Sequence, residues 1–307
     1  MKHINLYYWS NETNVGDIAS LYIVKMISND QVQIKSPFVG IKNILFNVVK
    51  RLLGKQSHII EYLKLYEFLP GSIIFAIGSI LDFANYKCIV WGSGFREYDS
   101  KTNCRRIYAV RGYLTLDRLE NMNKNEIAIG DPAILLPWIY KPVLFTRDKE
   151  ISIIPHYKDY DNICQMNIGG FPVINIMTEN VEGFINQIVA SKYILSTSLH
   201  GVIIAHAYNV PALWIKAGHV GSSDYKYHDY FSSVCIKDYP DLKAKDILNY
   251  TSDEIINLFK VYRQQSLPQI DEDKLRIQLL LSAPFELKDS FKQLIGKYEE
   301  KKNIVCH

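Results

Sequence analysis

Five turns in this chain place polar, charged or glycine residues where an apolar run hands over to a helical pattern. The fullest is "STSLHGVIIAHAYNVPALWI" (196–215), in which Ser196, Ser198, Leu199, His200 and Gly201 precede a nearly unbroken apolar segment. If "YILS" (193–196) is a strand, these residues sit at a strand's carboxyl end and open the next helix, where open α/β sheets bind ligands. Free amides and the helix dipole favour an anion there, and a bound phosphate would raise the pKa of His200 and keep it protonated as a general acid. His206 lies six residues on, roughly 240° around the helix, so the two histidines do not pair on a metal, and His206 reads as core. In "VRGYLT" (110–115) Arg111 ends an apolar strand, and its fork can clamp a carboxylate or phosphate; a surface salt bridge is the plainer reading. In "NETNVGDIAS" Gly16 permits a tight turn, and Asn14 and Asp17 offer an acceptor or base to a hydroxyl, although helix capping by Asp17 explains the turn equally well. In "GSGFRE" (92–97) Gly92, Ser93 and Gly94 would let backbone amides approach a ligand beside Arg96, a weak signal without a full GxGxxG. Asp131 and Pro132 in "IGDPAILLP" (129–137) read as an N-cap and a first helical residue, for which structure alone is sufficient reason.

The elements that must carry these residues alternate between short apolar runs and helix-period segments, which predicts α/β architecture with mainly parallel sheets. Strands are expected at "INLYYW", 72–78, 87–94, 107–112 and 127–136. A helix over 17–29 would bury Ile18, Leu21, Tyr22 and Met26. After a break at 138–150 the series restarts with "ISIIPH", "FPVINIM" (171–177), a helix over 180–190, the 196–215 unit and "SVCI" (233–236). Two Rossmann-like half-domains with a cleft between them follow: residues 1–145, 146–265, and C-terminal bracing helices over 266–307 that could pack back on the first.

Composition narrows the classes. A formal charge of +3 over 307 residues implies no nucleic-acid partner. Cys88, Cys104, Cys164, Cys235 and Cys306 are few, odd in number and far apart, which argues for reduced thiols and against a disulfide framework or a CxxC zinc site. "MKHINLYYWSNET" reads as a first strand rather than a signal peptide, and no run approaches the ~18 apolar residues of a membrane span. A soluble, cytoplasmic protein is expected. The basic amphipathic stretch "GIKNILFNVVKRLLGK" (40–55) allows peripheral membrane docking, with packing against the first half as the plainer reading. No HExxH, Walker A or GxSxG pattern occurs, and "DYD" (159–161) resembles an Asp-x-Asp metal motif only weakly.

Taken in order, "NVGD", "IGSIL", "GSGF", "VRGYLT", "GDPAILLP", "STSLHG" and "KYHDYFSSV" resemble the polysaccharide pyruvyl transferase family over about residues 3–240, most closely its bacterial exopolysaccharide branch. The resemblance implies a GT-B-like fold and transfer of pyruvate from phosphoenolpyruvate (PEP) onto two sugar hydroxyls as a cyclic ketal. It implies no tightly bound cofactor, and an acceptor that is a lipid-linked or nucleotide-linked glycan. Many members carry an arginine where this chain has Ser198, so Arg111, Arg96, Lys216 or Lys226 would supply the charge that grips PEP. His200 is expected as the acid or phosphate partner, Arg111 as the anion clamp, and Asp17 as the base or hydroxyl orienter. The alternatives are a nucleotide-sugar glycosyltransferase and an inactive family member in a polysaccharide assembly cluster.

Overall fold

The structure, a computed structural model, describes residues 3–9, 12–34, 72–142, 146–218 and 223–305. The amphipathic stretch 40–55 therefore lies outside the described residues. Among those described, six strands form an all-parallel sheet in the order β2-β1-β3-β4-β5-β6: β1 (His3–Tyr7), β2 (Gln31–Ile34), β3 (Ile73–Phe75), β4 (Cys88–Trp91), β5 (Arg106–Val110) and β6 (Ala128–Ile129). A second parallel sheet runs β7 (Lys149–Ile154), β8 (Ser191–Ser196), β9 (Ala212–Trp214). The central strands are near-continuous apolar runs, such as the wholly buried Ile73–Phe75, because helices cover both faces of a parallel sheet.

The helices are α1 (Val15–Ile27), α2 (Tyr113–Asp117), α3 (Leu136–Ile139), α4 (Tyr160–Met166), α5 (Val181–Val189), α6 (Leu199–Ala207), α7 (Tyr225–Ser233), α8 (Ala244–Ile247), α9 (Ser252–Val261), α10 (Glu272–Leu281) and α11 (Asp289–Val305). The α1 face differs from the expected one. Ala19, Ser20, Ile23, Val24 and Ile27 are the buried residues; of the expected ones, Ile18, Leu21 and Tyr22 are half-buried and pack against the core, whereas Met26 is exposed. The small Ala19 and Ser20 mark the side that lies closest to the sheet, and Ser20 Oγ accepts from Ile77 N–H at 3.3 Å.

Two expected strands are absent. Residues 171–177 contribute only a bridge from Val173 to Ile153, the ladder being interrupted by Pro172, which has no N–H to give. Residues 233–236 end α7 instead, with Cys235 in the left-handed region at φ 56°. One apolar cluster joins both sheets, running from Ile4 and Ile23 through Ile134 and Val202–Ala205 to Leu279. The C-terminal segment closes it from the first sheet's side: Trp91 Nε1 donates to Leu279 O at 2.9 Å, and Asn29 N to Glu286 O at 2.8 Å. No helix among the described residues is long and apolar enough to cross a membrane.

Candidate active site

Because both sheets are parallel, their carboxyl ends deliver loops to common ground, and there they line a cavity of about 200 Å³. Trp9, Asn14 and Asp17 follow β1; Ser79 and Phe83 follow β3; Arg96 and Glu97 follow β4. From the second sheet come His156, Tyr157 and Lys158 after β7, and Ser198, Leu199 and His200 after β8. Ser223 and Lys226 complete the wall.

Asn14, not Asp17, caps α1: its Oδ1 accepts from Gly16 N–H at 3.1 Å, and its Nδ2 donates to Asp17 Oδ2 at 2.9 Å. Asp17 is thereby turned into the cavity wall. Burial pushes its carboxyl up to about 7, against the opposing hydrogen bond from Asn14 and the charge of Lys226. A carboxyl poised near neutrality can give or take a proton.

His200 occupies the first turn of α6, whose leading amides have no intrahelical carbonyl to serve. Burial, then the positive Arg111 and Lys226, push its imidazole down to about 3. The protonated state expected with a bound phosphate is therefore not that of the ligand-free site, where His200 is neutral. Gly16 lies against the ring so closely that a Cβ there would overlap Nδ1, which makes glycine a requirement of the pair. On the other side of the ring, Nε2 stands 4.0 Å from Asp131 Oδ2, and both atoms are buried without a hydrogen-bond partner. Asp131 caps the Pro132–Leu135 turn as expected, its Oδ1 accepting from Ala133 N–H at 2.9 Å. It does not line the cavity. Burial lifts its carboxyl to about 6, with the nearby Asp229 adding to the shift and Arg111 opposing it.

Arg111 is a correction to the expected clamp. Its guanidinium is fully buried behind the cavity, where Nε pairs with Asp229 Oδ2 at 2.9 Å, one Nη donates to Ser79 Oγ at 2.6 Å and the other to Phe95 O at 2.7 Å. Asp229 in turn accepts from the N–H and hydroxyl of Thr115 at 2.7 and 2.8 Å. Arg111 therefore holds cavity-lining Ser79 to the helix that carries Lys226. The glycines beside it serve the same bolt. A Cβ on Gly94 would press on the guanidinium, and one on Gly112 would overlap Asp229 O. Gly92, at φ 103°, abuts Pro132, and Ser93 Oγ donates to Ala76 O at 3.1 Å, so this loop packs rather than cradling a ligand.

The cations expected to replace the missing arginine divide in two. Lys216 is spent on Asp224 at 2.7 Å and Asp241 at 2.9 Å, beside a separate hollow. Lys226 and Arg96 line the cavity, joined by Lys158. Burial, with Arg111 and Lys158 nearby, lowers Lys226 to about 8, so it still carries most of its charge at neutrality. Ser198 lines the wall, while Ser196 and Gly201 sit behind it; Ser196 Oγ accepts from Ser198 N–H at 3.0 Å and donates to Ile154 O at 2.9 Å. His206 is core, as expected, bonded through Nδ1 to Tyr230 OH at 3.0 Å. Asp159 is buried and Asp161 exposed, so "DYD" presents no paired carboxylates, and no metal-holding cluster of His, Cys, Asp or Glu occurs among the described residues.

The residues that sequence reasoning missed are Trp9, Ser79, Ile80, Phe83, Glu97, His156, Tyr157, Lys158 and Ser223. The rule used for His200, the turn after a parallel strand, applies equally to "PHYK" after β7 and would have found three of them.

A family profile for polysaccharide pyruvyl transferase matches residues 14–219. The chain belongs to that family. The span begins at the Asn14 cap and includes every cavity-lining residue except Trp9, Ser223 and Lys226. An uncharacterized protein of Acanthamoeba polyphaga mimivirus is 30% identical over 166 residues, 51% of this chain and 58% of that protein. The chain thus matches less than two thirds of that relative's length. No solved structure matches this polysaccharide pyruvyl transferase family member.

Proposed function

We propose that the protein transfers pyruvate from PEP onto two hydroxyls of a sugar in a surface-polysaccharide precursor, forming a cyclic ketal and releasing phosphate. The observation that carries this reading is one cavity holding two buried proton-handling groups, Asp17 and His200, beside three cations, Lys226, Arg96 and Lys158. PEP brings a phosphate and a carboxylate; Lys226, partly buried, holds such charge more strongly than a water-exposed cation, and the exposed Arg96 and Lys158 add to it at the mouth. The reaction also needs a proton placed on the methylene carbon and protons removed from two hydroxyls, which calls for separate acid and base. Trp9, Phe83 and Tyr157 give the cavity an apolar face suited to a pyranose ring.

The acceptor is a lipid-linked or nucleotide-linked glycan handled at the cytoplasmic side, and no nucleic acid is involved. Incubation with PEP and a panel of such glycans tests the reading. Phosphate release matched by a pyruvate-sized mass gain on one acceptor is expected. Consumption of a nucleotide sugar with PEP untouched would favour a glycosyltransferase instead.

A further inference from the structure

We propose that Asp131 is a positioning residue for His200: by accepting from Nε2–H it fixes the tautomer whose unprotonated Nδ1 faces the substrate, making His200 the base that takes a sugar proton and Asp17 the acid that protonates PEP. This reverses the roles the sequence suggests, and its catalytic half rests on the function proposed above.

Three observations converge on it. Asp131 Oδ2 and His200 Nε2 are both buried, both lack a hydrogen-bond partner and stand 4.0 Å apart. Two orphaned groups of complementary type at that separation are one ring adjustment of about 1 Å from a hydrogen bond, and catalytic pairs tighten in this way when substrate arrives. Asp131 is itself held in place, since its other oxygen is engaged by Ala133 N–H. His200 lines the cavity with Nε2 as its buried, unpartnered nitrogen, so Nδ1 is the ring nitrogen left for a substrate; it packs beside Gly16, where any side chain would collide with the ring. A carboxylate that orients a histidine without touching substrate is the arrangement nucleophile-activating sites use to fix a tautomer.

The charged groups facing the pair belong to three elements: Arg111 after β5, Lys226 and Asp229 on α7, and Asp17 on α1. The two cations oppose an imidazolium, which suits a neutral base. Asp17, lifted to about 7 by burial, holds a proton to give at neutral pH.

The proton balance closes. Asp17 protonates the PEP methylene while the first hydroxyl oxygen bonds to C2 and passes its proton to Nδ1. The C2–O bond to phosphate breaks, the phosphate leaving with the proton from His200 and an oxocarbenium remaining at C2. The second hydroxyl then closes the ketal and returns its proton to the Asp17 carboxylate.

Asp131→Asn tests the inference, because Asn keeps the cap through Oδ1 but turns an NH₂ toward Nε2. Nitrogen-15 NMR of labelled histidines, with His200→Gln for assignment, reads the tautomer in ligand-free protein at about pH 8. His200 is expected as the Nε2–H form in the wild type and the Nδ1–H form in the variant. With PEP and acceptor, Asp131→Asn should lose roughly 10²–10⁴-fold in kcat with little change in KM for PEP. An Nδ1–H wild type, an unmoved tautomer, or a variant changed in KM alone would overturn it. The tautomer is read without substrate, so the failure of every acceptor would refute the proposed function while leaving the Asp131–His200 pairing decided by the spectrum.

Discussion

At the scale of single residues the site works by burying groups that water would otherwise keep at ordinary pKa values. Asp17 shows the cost. Its carboxyl sits at about 7 in the folded chain against 3.8 as a free group. A carboxyl with a raised folded pKa makes the native state the better proton binder, so stability falls as pH rises from about 4 to about 7. Asp17→Asn should therefore raise Tm at about pH 8, by at most ~4 kcal/mol of stability, with the gain vanishing near pH 4. The same variant should lose activity. An unchanged Tm difference across that range would show that Asp17 is not a desolvated acid. His200 has the opposite sign: neutral when folded, it costs stability as pH drops below its ordinary 6.5 toward about 3. In kcat/KM, the acid limb should follow Asp131 at about 6, and the alkaline limb Asp17 at about 7 with Lys226 losing its charge at about 8. Asp131→Asn should remove the acid limb; its persistence in that variant would assign it to another group. His200→Ala should abolish turnover with the fold intact, and more than about a tenth of wild-type activity would exclude it as an acid or base.

At the scale of elements, positions along the chain were legible and partners across it were not. Asn14, Asp17, Arg96, Ser198, Leu199 and His200 could be found because a parallel strand announces its carboxyl end, and all six line the cavity. Lys226 had to be guessed through a missing arginine. The position of Arg111 behind the cavity is not legible, because its partner, Asp229, lies 118 positions away in a helix whose sequence, "KYHDYFSSV", gives no sign that it faces β5. Lys158 and Tyr157 are a different case: they follow β7 as His200 follows β8, so the strand-end rule reaches them once it is applied to that turn. Ile18, Leu21 and Tyr22 of α1 pack against the core, but the deepest contacts are made beside them by the small Ala19 and Ser20, whose types do not announce close packing. The bolt between α2, α7 and the Arg111 loop yields a test in this register. Arg111→Ala leaves Asp229 as an uncompensated buried charge and should cost about 3–5 kcal/mol in urea unfolding. Changing both residues to apolar ones of similar size should recover much of the loss. A single variant costing under about 1 kcal/mol would mean that the ion pair does not hold α7 to the first sheet.

At the scale of the whole molecule, the C-terminal helices reach the pair that matters most. Arg276 on α10 donates through Nε to Ile134 O at 2.8 Å and through Nη to Ala207 O at 3.1 Å, joining the turn that carries Asp131 to the far end of the helix that starts at His200. Arg276→Ala should reduce kcat while leaving every cavity-lining side chain in place, a loss that activity together with the His200 tautomer would reveal. The apolar cluster shared by both sheets explains why such remote contacts matter: the two sides of the cavity pack as one body rather than two. In the proposed reaction this body moves the pyruvyl group of PEP onto a sugar. Carbon-13 NMR of a reaction with PEP labelled at C2 tests it most directly. The vinyl signal is expected to give way to a quaternary ketal carbon on the acceptor, with one phosphate released per ketal, and His200→Ala is expected to show neither. Label recovered as free pyruvate, or left in PEP while a nucleotide sugar is consumed, would contradict it.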